Sequence, residues 1–130
     1  MSDYKGSKIC VLSSQLFLIA SLFNCICGNY IESLIIFILY MTSSYYHKNP
    51  TPINKILDEY IVKLTMFIIN IISLYHYNVY PTISTIMFSY MYYHRPECKE
   101  SCNVCNIYHA FFIHFIGFLG MMSSYYNKNN

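Results

Sequence analysis

Five stretches of the chain are almost free of charged residues. They run from about Ile9 to Cys27, Tyr30 to Tyr46, Tyr60 to Tyr77, Val79 to Tyr93 and Ile107 to Tyr126, and are called segments A to E. A helix that crosses a bilayer needs about 20 mostly apolar residues, with a range of about 17–25. Segments A, C and E meet that requirement, and B meets it if its tyrosine-rich end sits among the headgroups. Segment D is short and carries Pro81 at its start, where a first-turn proline is tolerated; a re-entrant hairpin is its alternative. The pattern predicts an all-α, multi-pass transmembrane bundle of about five spans, built as a single membrane domain over residues 1–130.

The polar connections carry a second pattern. Lys5 and Lys8 precede A, Lys48 and Lys55 lie between B and C, and Arg95 and Lys99 lie between D and E. The A–B and C–D connections have no Lys or Arg, Lys128 follows E, and Lys63 near the start of C can snorkel to the B–C side. Basic loops stay in the cytoplasm. The N-terminus and the B–C and D–E loops are therefore expected there, with the C-terminus outside or lumenal. Tyr45, Tyr46, Tyr60, Tyr92, Tyr93 and Tyr108 fall at one set of ends, and Tyr30, Tyr75, Tyr77, Tyr80, Tyr125 and Tyr126 at the other. That is the distribution of an interfacial aromatic belt. Segment A, with lysines before an apolar run, also resembles a secretory signal, but Phe23 to Gly28 offers no small-x-small cleavage site.

Composition agrees with a bilayer. Only 11% of the 130 residues are charged, against about 25% in soluble domains. A net charge of +2 is too small to suggest nucleic-acid binding.

Against this background five polar residues stand out. Ser43 and His47, four apart on one helical face, close segment B; Asp58 precedes C; His109 and His114 open E. The loop parity puts all five at one leaflet. Polar groups within membrane segments are functional candidates. Zinc accepts imidazole nitrogen, and its catalytic sites commonly use three protein ligands. A nearby carboxylate can handle a proton, and a serine can donate to an oxyanion. The bland alternative is that these are solvated interfacial histidines and a packing serine, in a small membrane protein with a structural or partner-binding role. Glu32, near the outer end of B, is read as structural and facing the headgroups.

The string Thr42-Ser43-Ser44-Tyr45-Tyr46-His47, then Asp58, then His109-Ala-Phe-Phe-Ile-His114, resembles the CREST superfamily of alkaline-ceramidase-like membrane hydrolases. The resemblance implies a helical membrane bundle with zinc held by His47, His109 and His114. It implies that Asp58 activates water, that Ser43 stabilises an oxyanion, and that the substrate is a lipid amide or ester. Two departures stand against it. The chain shows five spans where the family has seven, so a lipid cavity should be reduced; a homodimer would complete it. The family pattern is His-x-x-x-His, whereas here four residues separate the histidines. At about 100° per residue, positions five apart diverge by roughly 140°, against about 40° for four apart. A π-bulge in E would restore a common face.

Six cysteines complete the candidate chemistry. Cys98, Cys102 and Cys105, with His94, form a His/Cys set able to hold a structural metal. Free or palmitoylated juxtamembrane cysteines are the alternative. His94 is also a substitute third ligand if His114 points away.

Overall fold

A computed structural model of the chain describes residues 7–95 and 103–126. Lys5, Lys99, Lys128, Cys98 and Cys102 lie outside the described residues, as do the side chains of Tyr125 and Tyr126. The described chain is all helical: α1 (Lys8–Ile26), α2 (Tyr30–Lys48), α3 (Pro52–Tyr75), α4 (Tyr80–Tyr93), α5 (Asn103–Tyr108), a π-helical segment (His109–His114) and α6 (Phe115–Tyr126). The last three are contiguous and make one rod.

Local chemistry sets the ends. Ser7 accepts from the Cys10 amide and Thr51 from the Asn54 amide, two N-caps that satisfy otherwise unpaired donors. Pro52 and Pro81 occupy first-turn positions, where the missing N–H is not needed. Gly28, at φ 82°, makes the left-handed turn after α1.

Segments A, B and D match α1, α2 and α4 closely. Segment C does not: α3 begins at Pro52, eight residues before the apolar run, so Asp58 stands in its second turn. The N-terminal turns of α3 carry Lys55, Asp58, Glu59 and Lys63, which break the uncharged run, although Ile53, Ile56, Leu57, Tyr60 and Ile61 keep a helical spacing there.

Among the described residues, two helices are long and apolar enough to cross a membrane, Lys8–Ile26 and Cys105–Ser124. With 14 residues, α4 is about 21 Å long, short of a hydrocarbon core of about 30 Å.

Packing is inverted relative to a water-soluble protein. Leu12, Ile31, Leu34, Phe67 and Ile86 are each more than 60% exposed. The interior holds Ser14, Asn24, Glu32, Ser43, Thr65 and Asn78, all nearly inaccessible. Glu32 is thus buried, not turned to the headgroups as expected. The apolar core is small and central: Phe17, Ala20, Ile36, Leu39, Ile69 and Met121.

Helix α1 is the hub, packed on α2 and along the last rod, while α3 packs on α2, and α4 on α6. Far from the histidines, Asn24 donates to the Met121 carbonyl at 3.3 Å and Asn78 to the Ser123 carbonyl at 2.9 Å. Ser124 and Asn29 both donate to Asn24 Oδ1 at 3.3 Å. These bonds tie α1, the α1–α2 turn, the α3–α4 turn and α6 into one polar layer.

The α4–α6 contact depends on Gly120. A Cβ there would lie 2.5 Å from Ser84 Oγ and 2.8 Å from Ser84 Cβ, while Ser84 donates to the Ile116 carbonyl at 2.8 Å. Gly120→Ala is expected to push the helices apart and lower stability by about 1–3 kcal/mol. Thermal unfolding in mild detergent measures it; an unchanged midpoint would rule out the close approach.

Candidate metal centre

The π segment is the local event that builds the site. His109 and His114 are its first and last residues. In an undistorted α-helix, five-residue spacing would turn one imidazole to the apolar exterior. The wider i→i+5 turn stacks the sixth residue over the first, and both rings face inward. Phe111 and Phe112 take the outward positions, 61% and 41% exposed, while Ala110 and Ile113 are buried. Tyr108, just before the segment, donates to the Met91 carbonyl at 2.7 Å and anchors the rod to the last turn of α4.

The inward rings meet His47 from the last turn of α2. His114 Nε2 lies 3.2 Å from His47 Nε2 and 3.1 Å from His109 Nε2. Candidate ligand atoms of all three lie within 4.8 Å of one another. His47 and His114 are buried, at 8% and 3% exposure, so they are not solvated interfacial side chains.

The distances test the fit of an ion. Two nitrogens bound to one tetrahedral zinc at 2.0–2.1 Å stand about 3.3–3.4 Å apart, close to the spacings seen. A neutral imidazole presents one lone pair or one proton at Nε2. His114 Nε2 therefore cannot pair well with two further ring nitrogens at once. A cation taking a lone pair from each satisfies all three. The three histidines are close enough to hold a metal ion.

Ser43 joins the cluster from α2, with Oγ 3.5 Å from His114 Nε2 and 3.1 Å from Ser14 Oγ. Asp58 lines the same cavity and accepts from Thr42 Oγ1 at 3.3 Å. Its carboxylate is not part of the histidine group. The five residues singled out from the sequence thus line one cavity.

His94 is not drawn in. It is exposed beyond α4, against the rings of Tyr90 and Tyr93, and His114 leaves no vacancy for a substitute ligand. Cys105 is disulfide-bonded, which removes its sulfur as a thiolate ligand. The rest of the expected cysteine set lies outside the described residues.

The cavity runs from the histidines between α3, α4 and α6 and measures about 1160 Å³. Small-molecule pockets commonly span about 300–1,000 Å³, so this volume is enough for a ligand of that class. Its deeper wall includes Thr65, Met66, Ile69, Phe88 and Met121. Lys55, Lys63 and Arg95 line it as well. Arg95 lies over the Tyr92 ring at 4.0 Å, and Tyr92 donates to Glu59 at 3.1 Å.

Sequence reasoning missed the contribution of α1. Ser13 Oγ lies 2.5 Å from His114 Nδ1, and Ser14 reaches Ser43. The signal was present as a polar pair inside the most apolar run, where serine is also an ordinary helix-packing residue.

Comparison of the chain with family models, curated proteins and solved structures finds no match among them.

Deleting Phe112 should convert the π turn to α-helix, give four-residue spacing, and retain metal binding. Inserting one alanine after Phe112 should abolish it. Metal per chain, measured by elemental analysis of the purified protein, checks both; loss on deletion would refute the account of the π segment.

Proposed function

We propose that the chain is a multi-pass membrane protein with a three-histidine zinc centre that hydrolyses an amide or ester bond in a lipid. It would be a reduced, divergent member of the CREST superfamily. The observation that carries this reading is the convergence of His47, His109 and His114 at ligand spacing through a π segment, beside a large, partly apolar cavity. The family-like residues Ser43 and Asp58 line that cavity too.

The five rods are read as five spans. The exposed faces of α2, α3 and α4 support this, since Phe37, Phe67, Ile71 and Ile86 all face outward. The short α4 then needs local thinning of the bilayer or partial insertion. Alternation of basic loops supports a cytoplasmic N-terminus and an outer C-terminus. The disulfide at Cys105 favours the reverse orientation, because disulfides persist in oxidising compartments. Protease accessibility of an N-terminal tag in sealed vesicles decides: cleavage from the cytoplasmic face upholds the charge pattern, and protection there reverses it.

Zinc bound at the histidines would supply Lewis acidity and lower the pKa of a water toward neutrality. Asp58, held by Thr42, is the base that takes the proton of the attacking water. Ser43 donates to the developing oxyanion once its O–H turns from Ser14. The apolar wall of the cavity takes the acyl chain, and Lys55, Lys63 and Arg95 offer cationic partners to a lipid headgroup.

The purified protein is expected to hold one zinc per chain and to lose it in His47→Ala. Asp58→Asn should keep the zinc while hydrolysis of a lipid amide or ester falls by about 10²–10⁴-fold. Ser43→Ala should lower turnover by about 10²–10³-fold. Substoichiometric zinc, unchanged by His47→Ala, refutes the metal centre. Full zinc without turnover of either lipid class supports a structural metal site in a non-enzymatic membrane protein.

A further inference from the structure

We propose that Ser13 of α1 is a positioning residue of the metal centre: it holds His114 as the tautomer with its proton on Nδ1 and the Nε2 lone pair turned to the ion. The inference rests on the metal-centre reading above for its role. Hydrogen-bond accounting carries the tautomer.

Ser13 has one O–H. Its Oγ lies 3.1 Å from the Cys10 carbonyl, which can only accept, and 2.5 Å from His114 Nδ1. That carbonyl also accepts from Ser14 Oγ at 2.7 Å, so the serine proton alone does not set the direction. Nε2 does, because it faces two other candidate ligand nitrogens and keeps its lone pair for the ion, which leaves the ring proton on Nδ1 to donate to the serine oxygen. His114 Nε2 is then bare, and it is the atom that meets His47 and His109. A proton there would instead point into two ring nitrogens that also need their lone pairs as ligands.

The ring is held on a second side. Phe17, one turn along α1 from Ser13, meets it edge-on with centroids 5.0 Å apart. Ser13 and Phe17 share a face by four-residue spacing. His114 is 3% exposed, so Ser13 does for Nδ1 what bulk water would do elsewhere. Partners at the far nitrogen of a ligand histidine fix its orientation and raise its basicity, and their removal typically lowers metal affinity by about 10–100-fold.

The test uses the full chain in mild detergent, labelled with ¹⁵N-histidine, as wild type, Ser13→Ala and Ser13→Thr. Nitrogen shifts of the metal-free protein report the His114 tautomer. Competition with a chelator gives zinc affinity, and Co²⁺ absorption reports ligand geometry. The expected result is an Nδ1–H His114 in wild type and Ser13→Thr. Ser13→Ala should show mixed tautomers, an altered Co²⁺ spectrum, and zinc binding about 10–100-fold weaker. The unfolding midpoint of each variant separates this from loss of fold, and the threonine variant keeps the hydroxyl if alanine fails to fold. An Nε2–H tautomer in wild type, or unchanged affinity and spectrum in Ser13→Ala, overturns the proposal. A wild type with the Nδ1–H tautomer but no zinc overturns the metal reading, and with it Ser13's role at an ion, while the tautomer assignment stands.

Discussion

Most polar groups inside this bundle are satisfied by another part of the bundle, the buried hydroxyls of Ser44 and Ser73 being exceptions among the described residues. The exterior is rich in leucine, isoleucine and phenylalanine, and in the proposed bilayer setting water would not be at hand to complete a hydrogen bond. In such surroundings an unpaired donor or acceptor costs several kcal/mol. The fold answers with two polar layers separated by a small apolar core. One layer is built on Asn24 and Asn78. The other is built on the three histidines with Ser13, Ser14 and Ser43. Helix α1 contributes to both, which explains its central position better than apolar packing alone.

The same constraint accounts for the π segment. Sequence spacing gives His109 and His114 incompatible faces in an α-helix, and the apolar exterior makes the outward option costly. One widened turn removes the conflict and leaves the flanking α-helical segments intact. Such bulges recur at functional sites. Here the reason is visible: the two side chains that need the distortion are the ones that complete the cluster.

Much of this was legible in the sequence. Long uncharged runs marked four of the five rods within a few residues, and the parity of basic loops put the right polar residues at one end. Five-residue spacing named the place where the last helix must distort. What was not legible depended on contacts between distant positions. Ser13 and His114 are 101 residues apart, and nothing local distinguishes Ser13 from a serine that only packs. The early start of α3 was hidden because its first turns bear charges that break the uncharged run used to find helices. Glu32 looked like a headgroup residue because its position in the chain is peripheral, yet its side chain turns inward.

The participation of α1 in the histidine cluster also bears on how the protein is made. Helix α1 leaves the ribosome well before the last rod, so the cluster cannot close until that rod has emerged. A nascent chain lacking its final rod carries Ser13, Ser43 and His47 without their His114 contacts. An ion that binds only the closed form draws the two ends of the chain together, by an amount set by its concentration relative to its dissociation constant. Metal supply would then govern how much of a newly made chain reaches the closed form, quite apart from any reaction it performs.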